Sequence, residues 1–273
     1  MISAPLLHRT LSALVHKFAG RPAVVMGGAP SLPHDLAVLR ERGIGDAVYL
    51  SVNEHGLLPS LENAPAEVHF AVACDGEHGA TRMPMEKVLR PFGKPIIAPK
   101  YWADYRVLHH AATNSAILAC LAAWAMGCAP IVITGVEMYR GKTYWHDPKA
   151  RSVGTITPPQ QHAKRWQMVP QILPQAMLRS VSGPLNDVMR PWIPDEPITP
   201  IAPTNRILGI IGGTWVEITR NCDWPEKEPQ TRYAAGEIIE TKTHEAGLMI
   251  ARRFARSRPR GHDSEIIDID EYS

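Results

Sequence analysis

The segment from Gly135 to Pro148, GVEMYRGKTYWHDP, gathers Glu137, Tyr139, Tyr144, His146 and Asp147. A phenol donates a hydrogen bond to a departing phosphate oxygen, and two phenols share developing negative charge without a metal. His162 follows, behind the Gly/Thr/Pro-rich stretch VGTITPPQQ. A histidine on a loop beside a site can take a proton near neutral pH. These residue types suit transfer of a group away from a phosphate.

Three more places offer binding chemistry. Gly27 to Leu32 reads GGAPSL. Glycines let the backbone approach a ligand, and the next helix offers free N–H groups and a partial positive charge. Gly27, Gly28 and Ser31 would meet a phosphate there. Asn53 lies in NEHG and Asp75 in CDG, each just past a run of strand formers. Turns and helix caps use the same residue types, so a purely structural duty stands beside each functional reading. The spacing argues against a true phosphate-cradling P-loop. GVEMYRGKT has one residue too many between its glycines, and the backbone N–H groups must fall at fixed positions.

The elements that must position these residues follow from periodicity. Short apolar runs at Ala23–Met26, Asp46–Val52, Glu67–Cys74, Lys94–Ala98 and from Ile131 read as strands. Helices are expected from Pro33 through Arg42, from about Asn114, and from Gln160 to Leu178, the last interrupted by Pro170 and Pro174. A last strand is expected at Met177–Val181, and an amphipathic helix at the start of the chain. Alternating strands and helices predict an α/β fold, a Rossmann-like, mostly parallel sheet covered on both faces. Such sheets bind ligands beyond the carboxyl ends of their strands, where each of the loops above lies. From Ser115 to Val136 there is no charge, but Gly127-Cys128-Ala129-Pro130 breaks the run. Helix formers precede the break and β-branched residues follow it, which describes a buried helix and strand and not a membrane span.

The 273 residues, 45% hydrophobic, are enough for a real core. A net charge of +2 favours neither nucleic acid nor a membrane surface as partner. The four cysteines form no C-x-x-C pair and read as reduced core thiols of a cytoplasmic protein. No H-x-x-x-H spacing appears either, so no metal is expected. Domain expectations are a nucleotide-binding domain over 1–188, a stiff proline-rich linker over 189–205, a small α+β module over 206–262, and an acidic tail over 263–273. In the module, ILGIIGGTWVEIT reads as strands, and the stretch holding Arg252, Arg253 and Arg256 as a helix with a solvated basic face.

Taken together, the motifs from Ala23 to Asp187 resemble the family-42 glycosyltransferases, the bacterial sialyltransferases. They also resemble the wider group containing 6-hydroxymethylpterin pyrophosphokinase-like and motility-accessory proteins. GGAPSL stands where the family has G-N-G-P-S-L, so Gly28 replaces an asparagine that touches the nucleotide. Asn53 after the second strand, and Ser115 opening the central helix behind Asn114, match nucleotide-contacting positions. Gly135-Val136-Glu137-Met138-Tyr139, with Tyr144 after it, matches the family's G-[IV]-[DE]-x-Y and second tyrosine. His162 matches the base before the last helix. The resemblance implies a metal-independent transferase. It would move a sugar from a nucleotide-sugar to an acceptor hydroxyl, with His162 as base and Tyr139 and Tyr144 at the leaving phosphate. The nucleotide would rest on Gly27, Gly28, Ser31, Asn53, Asp75, Asn114, Ser115 and Glu137. A related alternative is pyrophosphoryl transfer, with Asp75 holding magnesium. The C-terminal module has no counterpart in the family and resembles small phage structural modules. That implies a rival, a non-catalytic phage or prophage protein that keeps the fold and binds phage structural proteins, with the virion as its alternative location.

Overall fold

A computed structural model describes residues 9–78, 81–107, 114–137, 143–147 and 164–203, together with five strands between 214 and 257. Its main body is one nine-stranded sheet in which every pairing is parallel. In chain order its strands are β1 (Arg9–Thr10), β2 (Ala23–Met26), β3 (Val48–Val52), β4 (Phe70–Val72), β5 (Ile96–Ala98), β6 (Tyr105–Arg106), β7 (Ile131–Thr134), β8 (Leu178–Ser180) and β9 (Arg190–Pro191). Their spatial order is β1-β6-β5-β4-β3-β2-β7-β8-β9. From β2 the chain runs outward through β3 to β6, then returns to the other side of β2 with β7 and leaves through β8 and β9. The reversal between β2 and β7 is the topological switch point, where such sheets open a crevice at their carboxyl edge.

Helices cover both faces, as the alternation predicts. In β2, Val25 faces the cluster of helix α3 (Ser115–Ala125), while Val24 and Met26 face Leu32, Leu36 and Leu39 of helix α1 (Leu32–Arg42). In β4, Phe70 and Val72 join the α3 side, while Ala71 and Ala73 pack with Met85 and Leu89 of helix α2 (Met85–Leu89). The α3 helix is buried on every side, which explains why its sequence has no polar stripe. No helix among the described residues is long and apolar enough to cross a membrane.

The start of the chain differs from the expectation. The opening amphipathic helix is instead β1, paired with β6, and a single 3-10 turn at Leu11–Leu14. Val15 is extended and His16 left-handed, so the turn stops. The chain then donates from His16, Phe18 and Gly20 to the carbonyls of Ala125, Met126 and Gly127, satisfying the open end of α3. Of the helix expected over Gln160–Leu178, residues 164–167 are α-helical, and the chain then breaks into 3-10 turns at Val169–Gln171 and Gln175–Met177, because Pro170 and Pro174 cannot continue a helix.

The domain boundary expected at 188 also moves. The proline-rich stretch is extended but lies on the main body. It adds β9 to β8, buries Trp192 against the α1 side, and places Glu196 2.7 Å from the buried Arg179. Trp124 of α3 donates to the carbonyl of Ile201. Pro191 is tolerated because β9 is the sheet's edge.

Beyond it, β10 (Thr214–Ile218) pairs antiparallel with β13 (Ile238–Thr241) and β14 (Ala255–Ser257), and β11 (Cys222–Trp224) pairs with β12 (Thr231–Tyr233). Arg256 therefore lies on a strand and not on the expected helix. Arg252 and Arg253 lie outside the described residues.

Candidate functional site at the carboxyl edge

The loops after β2, β3, β4 and β7 converge on one imidazole-rich cluster. Its centre is His55, just past β3 and 4% exposed. The Nδ1 atom of His55 is 3.1 Å from Nε2 of His146, which arrives from the loop beyond β7. Tyr144 from that same loop stacks on His146, with ring planes 6° apart, and lies 4.6 Å from the His55 ring. Glu54 is 5% exposed, and its Oε1 meets Nε2 of His78 at 2.9 Å and Nδ1 of His55 at 3.7 Å. Trp145 fastens the loop down, its backbone N–H donating to the carbonyl of Gly28 and its indole to that of His55.

Burial pushes His55 down to about 4, so it is a neutral imidazole at pH 7. Burial also lowers His146. For Glu54 burial opposes the charge, while the neighbouring imidazoles and its own backbone N–H favour it. The balance lies below the usual carboxylate value, and Glu54 is the anion of the cluster. Two buried oxygens here have no hydrogen-bond partner: Oε2 of Glu54 and Oδ1 of Asn53. Asn53 is held left-handed at φ 52°, a conformation asparagine adopts more readily than most residues.

The expected binding residues divide into two groups. Asn53 and Tyr144 lie in or beside the cluster. Gly28 supports it, since a Cβ there would sit 2.5 Å from the His55 ring. The others are engaged by the fold itself. The space a Cβ of Gly27 would need is filled by the carbonyl of Gly135 at 2.2 Å. The backbone N–H of Ser31, at the start of α1, donates to the Glu137 carboxylate at 3.2 Å, so a protein anion already occupies that helix end. Asn114 caps α3 by accepting from the N–H of Ile117. The Ser115 hydroxyl, buried, accepts from the N–H of Cys74 at 2.9 Å and ties α3 to the end of β4. Asp75 is exposed beyond β4. Tyr139 and His162 lie outside the described residues. The thiols of Cys74 and Cys128 are buried and pushed up by burial to about 12, which suits core duty and not nucleophilic chemistry.

Glu54, His55 and His78 were not singled out by sequence. Their signal was position alone, since each falls a few residues past the end of a parallel strand.

A different cavity, of about 610 Å³, lies at the amino edge of the sheet, lined by residues that include Arg21, Arg40, Asp46, Tyr49, Asn63 and His69. It is remote from the imidazole cluster and the buried Glu54 carboxylate, so the carboxyl edge is the better candidate for chemistry. Compared with protein-family models, curated proteins and solved structures, the chain matches none.

Behind the switch point lies a second buried carboxylate. Asp35 of α1 is 1% exposed and accepts from the N–H of Gly135 at 2.8 Å and from the Ser182 hydroxyl. It joins α1 to the ends of β7 and β8. Asp35→Ala leaves both donors unpaired and should cost about 2–4 kcal/mol, as buried orphan donors do. Asp35→Asn can keep both contacts, because the Ser182 hydroxyl can reverse its role.

Burial raises the folded-state pKa of Asp35 above its ordinary 3.8. The stability this group contributes is therefore greatest below that ordinary value. It falls as pH rises toward the raised folded value. Asp35→Asn should gain on the wild type across that window and stay level above it, read as urea midpoints against pH. A constant difference at every pH would mean that Asp35 does not titrate differently on folding.

Proposed function

We propose that the carboxyl edge is the active site of a transferase moving a sugar from a nucleotide-sugar donor to an acceptor hydroxyl. The observation that carries this reading is Tyr144, stacked on His146 and tilted over His55 beside the topological switch point. A phenol there can stabilise the departing phosphate, and the buried, uncharged His55 imidazole beside it makes the surroundings favourable to charge only where donors point. Asn53, whose amide oxygen is buried without a hydrogen-bond partner beside the cluster, is the residue this reading assigns to the nucleotide at the exit of β3. His162 takes the acceptor's proton in this reading, on the strength of the family resemblance.

A second reading, a non-catalytic binding module with the same fold, is favoured by the internal engagement of Asn114, Ser115 and Glu137. These residues would otherwise be expected at the nucleotide phosphate.

A thermal-shift screen against nucleotides and nucleotide-sugars separates the two. A nucleotide at a hundredfold excess over its Kd stabilises the folded state by about 2.7 kcal/mol, or about 5–10 °C for a domain of this size. Asn53→Ala should reduce that shift. If no nucleotide moves the melting temperature of the folded protein, the transferase reading fails and the binding-module reading takes its place.

A further inference from the structure

We propose that Glu54, His55 and His146 bind one divalent transition-metal ion of the zinc class, with His78 orienting the carboxylate. The ligand atoms of the three residues lie within 4.8 Å of one another. Ligands about 2.0–2.1 Å from a tetrahedral ion stand about 3.3 Å apart. The two separations from His55 Nδ1, 3.1 Å to His146 and 3.7 Å to Glu54, bracket that value.

A second, independent observation points the same way. Oε2 of Glu54 is buried and unpartnered, in a residue more than nine-tenths buried. An anion under-satisfied in the interior is costly, and a cation beside it removes the cost. The supporting shell is present as well. His78 holds Oε1 of Glu54, as ligating carboxylates are usually held, and Tyr144 stacks on His146 to fix its ring. Gly28 leaves room for the His55 ring on its other side.

Two imidazoles and one carboxylate suit zinc and its neighbours better than magnesium, which prefers oxygen ligands and retains its waters. Three protein ligands leave a coordination position open, the arrangement of catalytic and not structural zinc. The ion would sit where a leaving phosphate needs positive charge. That differs from the metal-free centre expected on sequence. Metal binding does not depend on whether a nucleotide-sugar is the substrate, so it can be tested separately.

The full-length protein, stripped with chelator, is titrated with Co²⁺ and Zn²⁺ by calorimetry and visible absorption, and with Mg²⁺ as the contrast. One Co²⁺ per chain should bind, with the d–d bands of a low-coordinate nitrogen/oxygen site, and Zn²⁺ should displace it. His146→Ala and the isosteric Glu54→Gln should each weaken binding at least about a hundredfold, and His78→Ala about 10–100-fold, the usual effect of a supporting group. Melting of each stripped variant shows whether it is folded, and Glu54→Gln keeps the shape of the site if His146→Ala does not fold. Absence of Co²⁺ and Zn²⁺ binding by the wild type, or binding unchanged in folded Glu54→Gln, overturns the proposal. Equal affinity for Mg²⁺ overturns the choice of metal class and with it the site as described.

Discussion

Gly27→Val should cost about 4–5 kcal/mol, the upper end of what single substitutions do. That is a large part of the 5–15 kcal/mol that holds a typical domain together. The reason lies in the crossing of two strand exits. Gly27 donates its N–H to the carbonyl of Thr134, and its Cα faces the backbone of Gly135. A Cβ there would lie 2.2 Å from the Gly135 oxygen and 2.6 Å from a methyl of Val136. Neither is the free end of a flexible side chain, so β2 and β7 would have to separate at the centre of the sheet. Gly135 cannot yield, because it is itself left-handed at φ 60° and packed against Leu32.

Two controls make the result informative. Gly43→Ala, at positive φ but facing open space, should cost only about 1 kcal/mol. Gly28→Ala should leave the sheet intact and displace the His55 ring, so its defect should appear in ligand binding more than in stability. The readout is the urea midpoint of each variant. A Gly27→Val protein as stable as the wild type would show that the two strand exits do not meet as described.

The second large effect is kinetic. His162→Ala should lower kcat for sugar transfer by about 10²–10⁴, the usual share of general acid–base catalysis. Nucleotide affinity should stay close to the wild type, because the transferase reading puts the base on the acceptor and not on the donor. Tyr144→Phe should slow the reaction less, since other donors at the leaving phosphate can partly cover for one phenol. Steady-state kinetics with a nucleotide-sugar that stabilises the protein gives kcat and KM separately. Full activity in His162→Ala, together with a collapse in His146→Ala, would move the proton-transfer role to the imidazole pair beside β3. Metal content measured on the same His146→Ala sample distinguishes loss of a base from loss of an ion.

The amino-acid sequence by itself determined the sheet. Runs such as Ala23–Met26 and Ile131–Thr134 are apolar on both faces, which only a strand covered on both sides can use, and the alternation with helices makes them parallel. It also pointed to the carboxyl edge as the place for candidate site residues, because GGAPSL, NEHG, CDG and TYWHDP all follow strand ends. The local capping of α3 by Asn114 is a short-range rule of the same kind.

Only the tertiary structure decided which of those loop residues meet. His55 and His146 are 91 residues apart, on loops whose strands stand on opposite sides of β2, so no periodic spacing could announce them. Metal and catalytic spacings are legible in sequence when the ligands share one helix or one hairpin, and these do not. The same limit applied to Gly27. A glycine that lets backbone approach a ligand and one that lets it approach another strand are identical in sequence, and the partner here is Gly135. The proline-rich stretch was misplaced for a related reason. Its composition fixes an extended backbone, but whether that backbone hangs free or lies on a core depends on long-range partners. The Trp192 burial, the Glu196–Arg179 pair and the Trp124 bond to Ile201 are contacts of that kind.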